Sequence, residues 1–122
     1  PTFEAIWKDL APALSEQVVV AYNATYEGDV LGAECHRRGL EMPRHLNWQC
    51  AMRSYAEFAG AWDGRKSDWR WHKLAEACAR EGIEVEGAHS ALGDCRLTLA
   101  LVRVMAAADG SAVMEDGTLM PF

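Results

Sequence analysis

The sequence has no run of about 18 apolar residues, so it offers no candidate for a membrane-spanning helix. It has no C-x-x-C pair. Cys35, Cys50, Cys78 and Cys95 stand far apart, which argues against a zinc ribbon. His36, His45, His72 and His89 are scattered among the cysteines without paired spacing, so no Cys/His metal site is expected. No charged-then-apolar segment opens the chain, which reads as a cytoplasmic protein with reduced thiols rather than two disulfides. Positive charge is scarce: 12 Lys+Arg against 18 Asp+Glu leave a net charge of −6. That balance argues against a protein that grips nucleic acid by bulk charge alone. It leaves room for an enzyme that meets phosphates through bound metal ions. Internal repeats and low-complexity tracts are absent. What remains is 122 residues, 50% hydrophobic and 25% charged, the size and balance of one globular domain.

Periodicity divides the chain. Phe3, Ile6, Trp7, Leu10 and Leu14 recur at helical spacing, Thr2 is a suitable N-cap, and Pro12 is expected to bend or end that helix near Ala11. Residues 17–22, Gln-Val-Val-Val-Ala-Tyr, are short, β-branched and almost continuously apolar, as a buried strand of a parallel sheet would be. A helix over 25–38 follows, with Gly39 as its stop and His36, Arg37 and Arg38 complementing its dipole. Residues 46–50 suit a very short edge strand, and 50–60 a helix with Met52, Tyr55, Ala56 and Ala59 at helical spacing. A polar loop over 62–70 leads to a helix over 71–81, with Trp71, Leu74, Ala75 and Cys78 on one face and Gly82 as stop. Residues 83–88 are a connector. The longest helix, 90–108, offers Ala91, Leu92, Cys95, Leu99, Val102 and Met105 for burial. The tail, 109–122, suits a small hairpin around Asp116-Gly117 or a mobile end.

The tally is a helix-rich α/β chain with one clear strand and one weak one. A strand apolar on both faces needs neighbours for its N–H and C=O groups and for its side chains. Further strands are therefore expected from a preceding N-terminal segment or from another chain.

Two stretches carry chemistry. Tyr22-Asn23-Ala24-Thr25-Tyr26-Glu27 lies at a strand-to-helix junction, and ligands of α/β sheets bind beyond the C-terminal ends of strands. His89-Ser90-Ala91-Leu92-Gly93-Asp94 opens the last helix. Two carboxylates and a histidine suit a hydrolytic centre. Carboxylate oxygens hold hard cations such as Mg²⁺ or Mn²⁺. Histidine, which titrates near neutral pH, can take a proton from an attacking water. Each has a plainer reading: Asn23 as a cap, Glu27 and Asp94 as solvated first-turn acids, His89 as an ordinary residue at a helix start.

His89-x-Ala91-x-x-Asp94, followed by Thr98, resembles the third motif of the DEDDh (DnaQ-like) 3′-5′ exonucleases, the superfamily that includes the epsilon subunit of bacterial DNA polymerase III. Asn23-Ala24 and Glu27 resemble the second motif, and the residues between fit its order. The resemblance implies that residues 1–108 are the C-terminal portion of a ribonuclease H-like exonuclease domain. It implies two-metal hydrolysis of phosphodiesters at single-stranded DNA or RNA 3′ ends with Mg²⁺ or Mn²⁺. His89 is then the general base, Asp94 and Glu27 are metal ligands, and Asn23 and Tyr26 support the junction or the substrate. A polymerase partner or a homodimer fits the same resemblance. Two departures stand out. The family's first motif, Asp-x-Glu on a strand, is absent and is expected upstream of Pro1, which is not a Met; without it the chain is expected to be inactive alone. Position 27 is Glu where the family usually has Asp. Both leave open a non-catalytic module that binds nucleic acid or a protein.

Of five tryptophans, Trp7 and Trp71 lie at helical core spacing. Trp62 and Trp69 flank the loop that carries Arg65 and Lys66, the best candidate for a substrate contact outside the metal site.

Overall fold

The first helix begins where a threonine can cap it. In the computed structural model, which describes residues 1–86 and 89–108, the Thr2 hydroxyl accepts the Ala5 N–H at 3.2 Å and α1 runs Phe3–Leu14. Pro12 does not end it at Ala11. Proline removes one donor and crowds the carbonyl four residues back, but only two helical residues follow, and the Ser15 N–H still reaches Ala11 O at 3.1 Å. Trp7 is buried as expected, stacked on Phe3 with its indole N–H on Glu41 O at 3.2 Å. The tail over 109–122, with its expected hairpin, lies outside the described residues.

The described residues form five helices and four short strands in two compact units, one of residues 1–50 and one beginning at Ala51. In the first, β1 (Val18–Ala21) is joined through α2 (Ala24–Arg38) to β2 (Asn47–Cys50). The strands pair in parallel with Val18 opposite Asn47 and Ala21 opposite Cys50, so the weak strand is the partner of the clear one. Gly39 ends α2 with φ +65°. Leu40 N–H reaches Cys35 O at 2.9 Å and Gly39 N–H reaches His36 O at 3.3 Å, a pair of bonds that only a left-handed residue can set.

One expectation is corrected here. β1 is not buried: Val18 is 49% and Val20 is 40% exposed. Its apolar sequence asks for cover on both faces, and the two-stranded sheet of the described residues supplies too little.

The second unit packs α3 (Ala51–Ala59), α4 (Leu74–Arg80) and α5 (Ala91–Ala108) around Tyr55, Cys78 and Leu101, none of which reaches solvent. The Tyr55 hydroxyl donates to Glu81 Oε1 at 2.9 Å, and the Cys78 thiol donates to Leu97 O at 3.8 Å. Burial pushes both the Tyr55 hydroxyl and the Cys78 thiol up from their ordinary pKa values. The α5 face was misjudged by sequence. Leu97, Thr98, Leu101, Val102, Met105 and Ala106 are buried, while Ala91, Leu92, Cys95 and Leu99 are exposed. Only Val102 and Met105 were placed correctly. Trp71 is also corrected: α4 begins at Leu74, so helical spacing does not apply to it, and it is 48% exposed. None of the four cysteines forms a disulfide. No helix among the described residues is long and apolar enough to cross a membrane.

Candidate active site

Two helix starts carry the candidate residues, and both are built on one device: a polar cap residue at position i and an acid at i+4. At the first, the backbone leaves β1 and turns at Asn23. The Asn23 side-chain oxygen accepts the Tyr26 N–H at 3.4 Å, and its carbonyl accepts the Glu27 N–H at 3.1 Å. Tyr26 (62% exposed) and Glu27 therefore stand on the solvent side of the first turn, just past the strand end. Beside them, a shallow hollow of about 380 Å³ is lined by Ala24, Thr25, Gly28, Asp29, Trp48 and Cys50. Asp29 lines it and Glu27 does not.

At the second start, Ser90 caps α5. Its hydroxyl accepts the Gly93 N–H at 3.0 Å and its carbonyl accepts the Asp94 N–H at 2.9 Å. The Asp94 carboxylate turns back and accepts the His89 N–H at 3.3 Å, while its carbonyl accepts the Thr98 hydroxyl at 2.8 Å. His89 adopts φ +75°, a left-handed conformation that costs a non-glycine residue roughly 1 kcal/mol. The bond to Asp94 helps hold it there. The structure thus brings the proposed base and the proposed ligand side by side, and Thr98 braces the turn from which Asp94 projects.

Arg65 and Lys66 sit at an exposed turn, and the expected loop over 62–70 is a small hairpin. β3 (Trp62–Asp63) pairs antiparallel with β4 (Asp68–Trp69), and the side chain and carbonyl of Asp63 accept the Arg65 and Lys66 N–H groups at 3.0 and 3.2 Å. The Asp63-Gly64 pair between two tryptophans was the signal that could have found it. The Ser90 cap was also missed, although a serine just before an apolar-periodic run announces one.

Asn23, Tyr26 and Glu27 belong to the first unit; His89, Asp94, Arg65 and Lys66 belong to the second. The two carboxylates have the hard oxygen donors that Mg²⁺ or Mn²⁺ prefers. Among the described residues, however, no group of three or more His, Cys, Asp or Glu side chains is gathered closely enough to hold an ion. The donors present are the right kind and too few.

Comparison with known proteins agrees in outline. The chain is 41% identical over 110 residues to a protein of Escherichia phage 186 named uncharacterized exonuclease CP81, a match that takes in 82% of this chain. It spans about half (56%) of that relative's length. No protein-family model and no solved structure matches the chain.

Proposed function

We propose that this chain is the His-motif portion of a nuclease, a 3′-5′ exonuclease of the DEDDh type with a ribonuclease H-like fold, acting on single-stranded DNA or RNA ends. The observation that carries the reading is the 41% identity to a phage protein named as an exonuclease. The pairing of His89 with Asp94 at a capped helix start supports it. In this reading His89 takes the proton of the attacking water, with its backbone fixed by Asp94. Asp94 and Glu27 would hold divalent cations together with carboxylates from a further segment. Bound cations supply charge stabilisation to the attacking and leaving oxygens of the phosphodiester. The same segment would lay strands beside β1, where Val18 and Val20 stand exposed. By itself the chain is inactive.

The test is the complete gene product with Mg²⁺ or Mn²⁺ on a single-stranded oligonucleotide labelled at its 5′ end. A ladder of progressively shortened labelled products supports 3′-5′ exonuclease action. Immediate release of the labelled nucleotide reverses the polarity, and no product under either cation removes the enzyme.

A further inference from the structure

Residues 62–73 carry four Lys/Arg against two Asp, a local charge of +2 in a chain of −6. The same segment holds three of the five tryptophans. In the hairpin, Trp62 and Trp69 lie directly opposite in the ladder and meet edge to face, with centroids 5.3 Å apart and rings at 86°. That geometry leaves Trp62 60% exposed. Trp71 is 48% exposed, and the Arg53 guanidinium lies over its ring at 5.5 Å from the centroid. Large apolar rings at a surface need a reason.

Each of the two local carboxylates accepts a backbone N–H. Asp63 accepts from Arg65 N–H at 3.0 Å and Asp68 accepts from Trp69 N–H at 2.8 Å. Arg70 is engaged with Glu76 at 3.2 Å. Arg65 and Lys66 project at the exposed turn and make no ion pair among the described residues. The hairpin is also anchored. The Arg70 N–H continues the ladder to Ala61 O at 2.7 Å, β4 packs on α3, and the next buried ring, His72, sits edge-on to Tyr55 at 5.5 Å. An anchored mount, open aromatic faces and cations without ion pairs at the tip are what a single strand of nucleic acid meets in a binding groove: bases stack on rings and phosphates meet cations.

We infer that the Trp62–Trp69 hairpin, with Trp71 and Arg53 at its base, is a docking surface for single-stranded nucleic acid. A base stacks on Trp62, and the phosphates flanking it meet Arg65 and Lys66. The surface rests on the nuclease reading for its biological use, but its binding does not depend on catalysis.

The experiment separates the two. Binding of a short fluorescein-labelled oligothymidylate to the complete gene product is followed by anisotropy in EDTA. Hydrolysis of the p-nitrophenyl ester of thymidine 5′-monophosphate, a single nucleotide, is followed separately with Mn²⁺. Trp62→Ala should weaken oligonucleotide binding by roughly 5- to 100-fold, as loss of one base stack does, and Trp62→Phe should restore most of it. The double variant Arg65→Ala/Lys66→Ala should lower the slope of log affinity against log salt by about 1.4, the value for two phosphates on a single strand. Failure of the parent to cleave either substrate defeats the nuclease reading while the EDTA titration still decides the hairpin. No binding by the parent, or binding that the Trp62 and Arg65/Lys66 variants leave intact, overturns the hairpin proposal.

Discussion

The two units of this chain answer the same demand differently. The second satisfies its elements from within. Its helices enclose Tyr55, Cys78 and Leu101, the tyrosine hydroxyl finds Glu81, and the start of α5 is closed by reciprocal bonds among His89, Ser90, Gly93 and Asp94. The first leaves its most apolar element half exposed, and the Glu27 carboxylate makes no hydrogen bond or ion pair among the described residues. Helices bond their own backbones and need only one covered face, whereas a strand passes both its hydrogen bonds and its faces to neighbours. The unit built on strands is therefore the one whose apolar strand is left partly uncovered.

The largest test of this contrast compares one apolar residue in each unit. Leu101→Ala should cost about 2–5 kcal/mol in urea unfolding, because a fully buried leucine leaves a cavity. Val20→Ala should cost under about 0.5 kcal/mol in this chain, as an exposed position does. In the complete gene product, with neighbouring strands supplied, the Val20 cost should rise to about 1 kcal/mol or more. Equal costs in both would contradict the proposal that further strands cover β1.

Tyr55→Phe should cost about 1 kcal/mol through the lost bond to Glu81. Burial, and then the Glu81 bond, raise the folded pKa of this hydroxyl. Its contribution is therefore complete below the unfolded value and is lost as pH rises through the folded one. Unfolding titrations in strong alkali should show the parent losing stability that the phenylalanine variant does not lose.

The helix starts give a smaller difference. Ser90→Ala should cost about 1 kcal/mol and loosen His89, while Asn23→Ala should cost about half as much, its cap bond being longer at 3.4 Å against 3.0 Å. The smallest effect is expected at the surface cluster of Arg38 with Glu4 and Glu34, at 2.8 and 3.0 Å. Bonds from Arg38 to Glu4, and from Arg37 and then Arg38 to Glu34, hold both carboxyls below their ordinary range. The contribution is present at neutral pH and is lost as pH falls through those lowered values. Melting curves of Arg38→Ala and the parent should converge in acid or in high salt.

What the sequence made legible follows from local physics. Gly39 and Gly82 mark helix ends because their positive φ is cheap only for glycine, and the Thr2 cap needs nothing beyond its own turn. That β1 is a strand with a parallel neighbour was readable from its apolar, β-branched run, while its burial was not borne out and its pairing with β2 was not foreseen. The buried face of α5 was not readable, because apolar residues surround that helix and its neighbours α3 and α4 choose among them. Trp71 misled because a helical period was extended across residues that precede the helix. At the candidate site, His89 and Asp94 were proposed from the resemblance of their motif to that of an exonuclease family. The left-handed φ of His89 and the bond that ties it to Asp94 are three-dimensional facts that no spacing encodes.

The most direct test of the nuclease reading is the rate of 3′-end shortening by His89→Ala in the complete gene product, measured beside its Mn²⁺ binding. Loss of a general base predicts a fall of roughly 10²- to 10⁴-fold with cation binding unchanged. Shortening at the parent's rate would contradict the role of His89 and, with it, the site built on the start of α5.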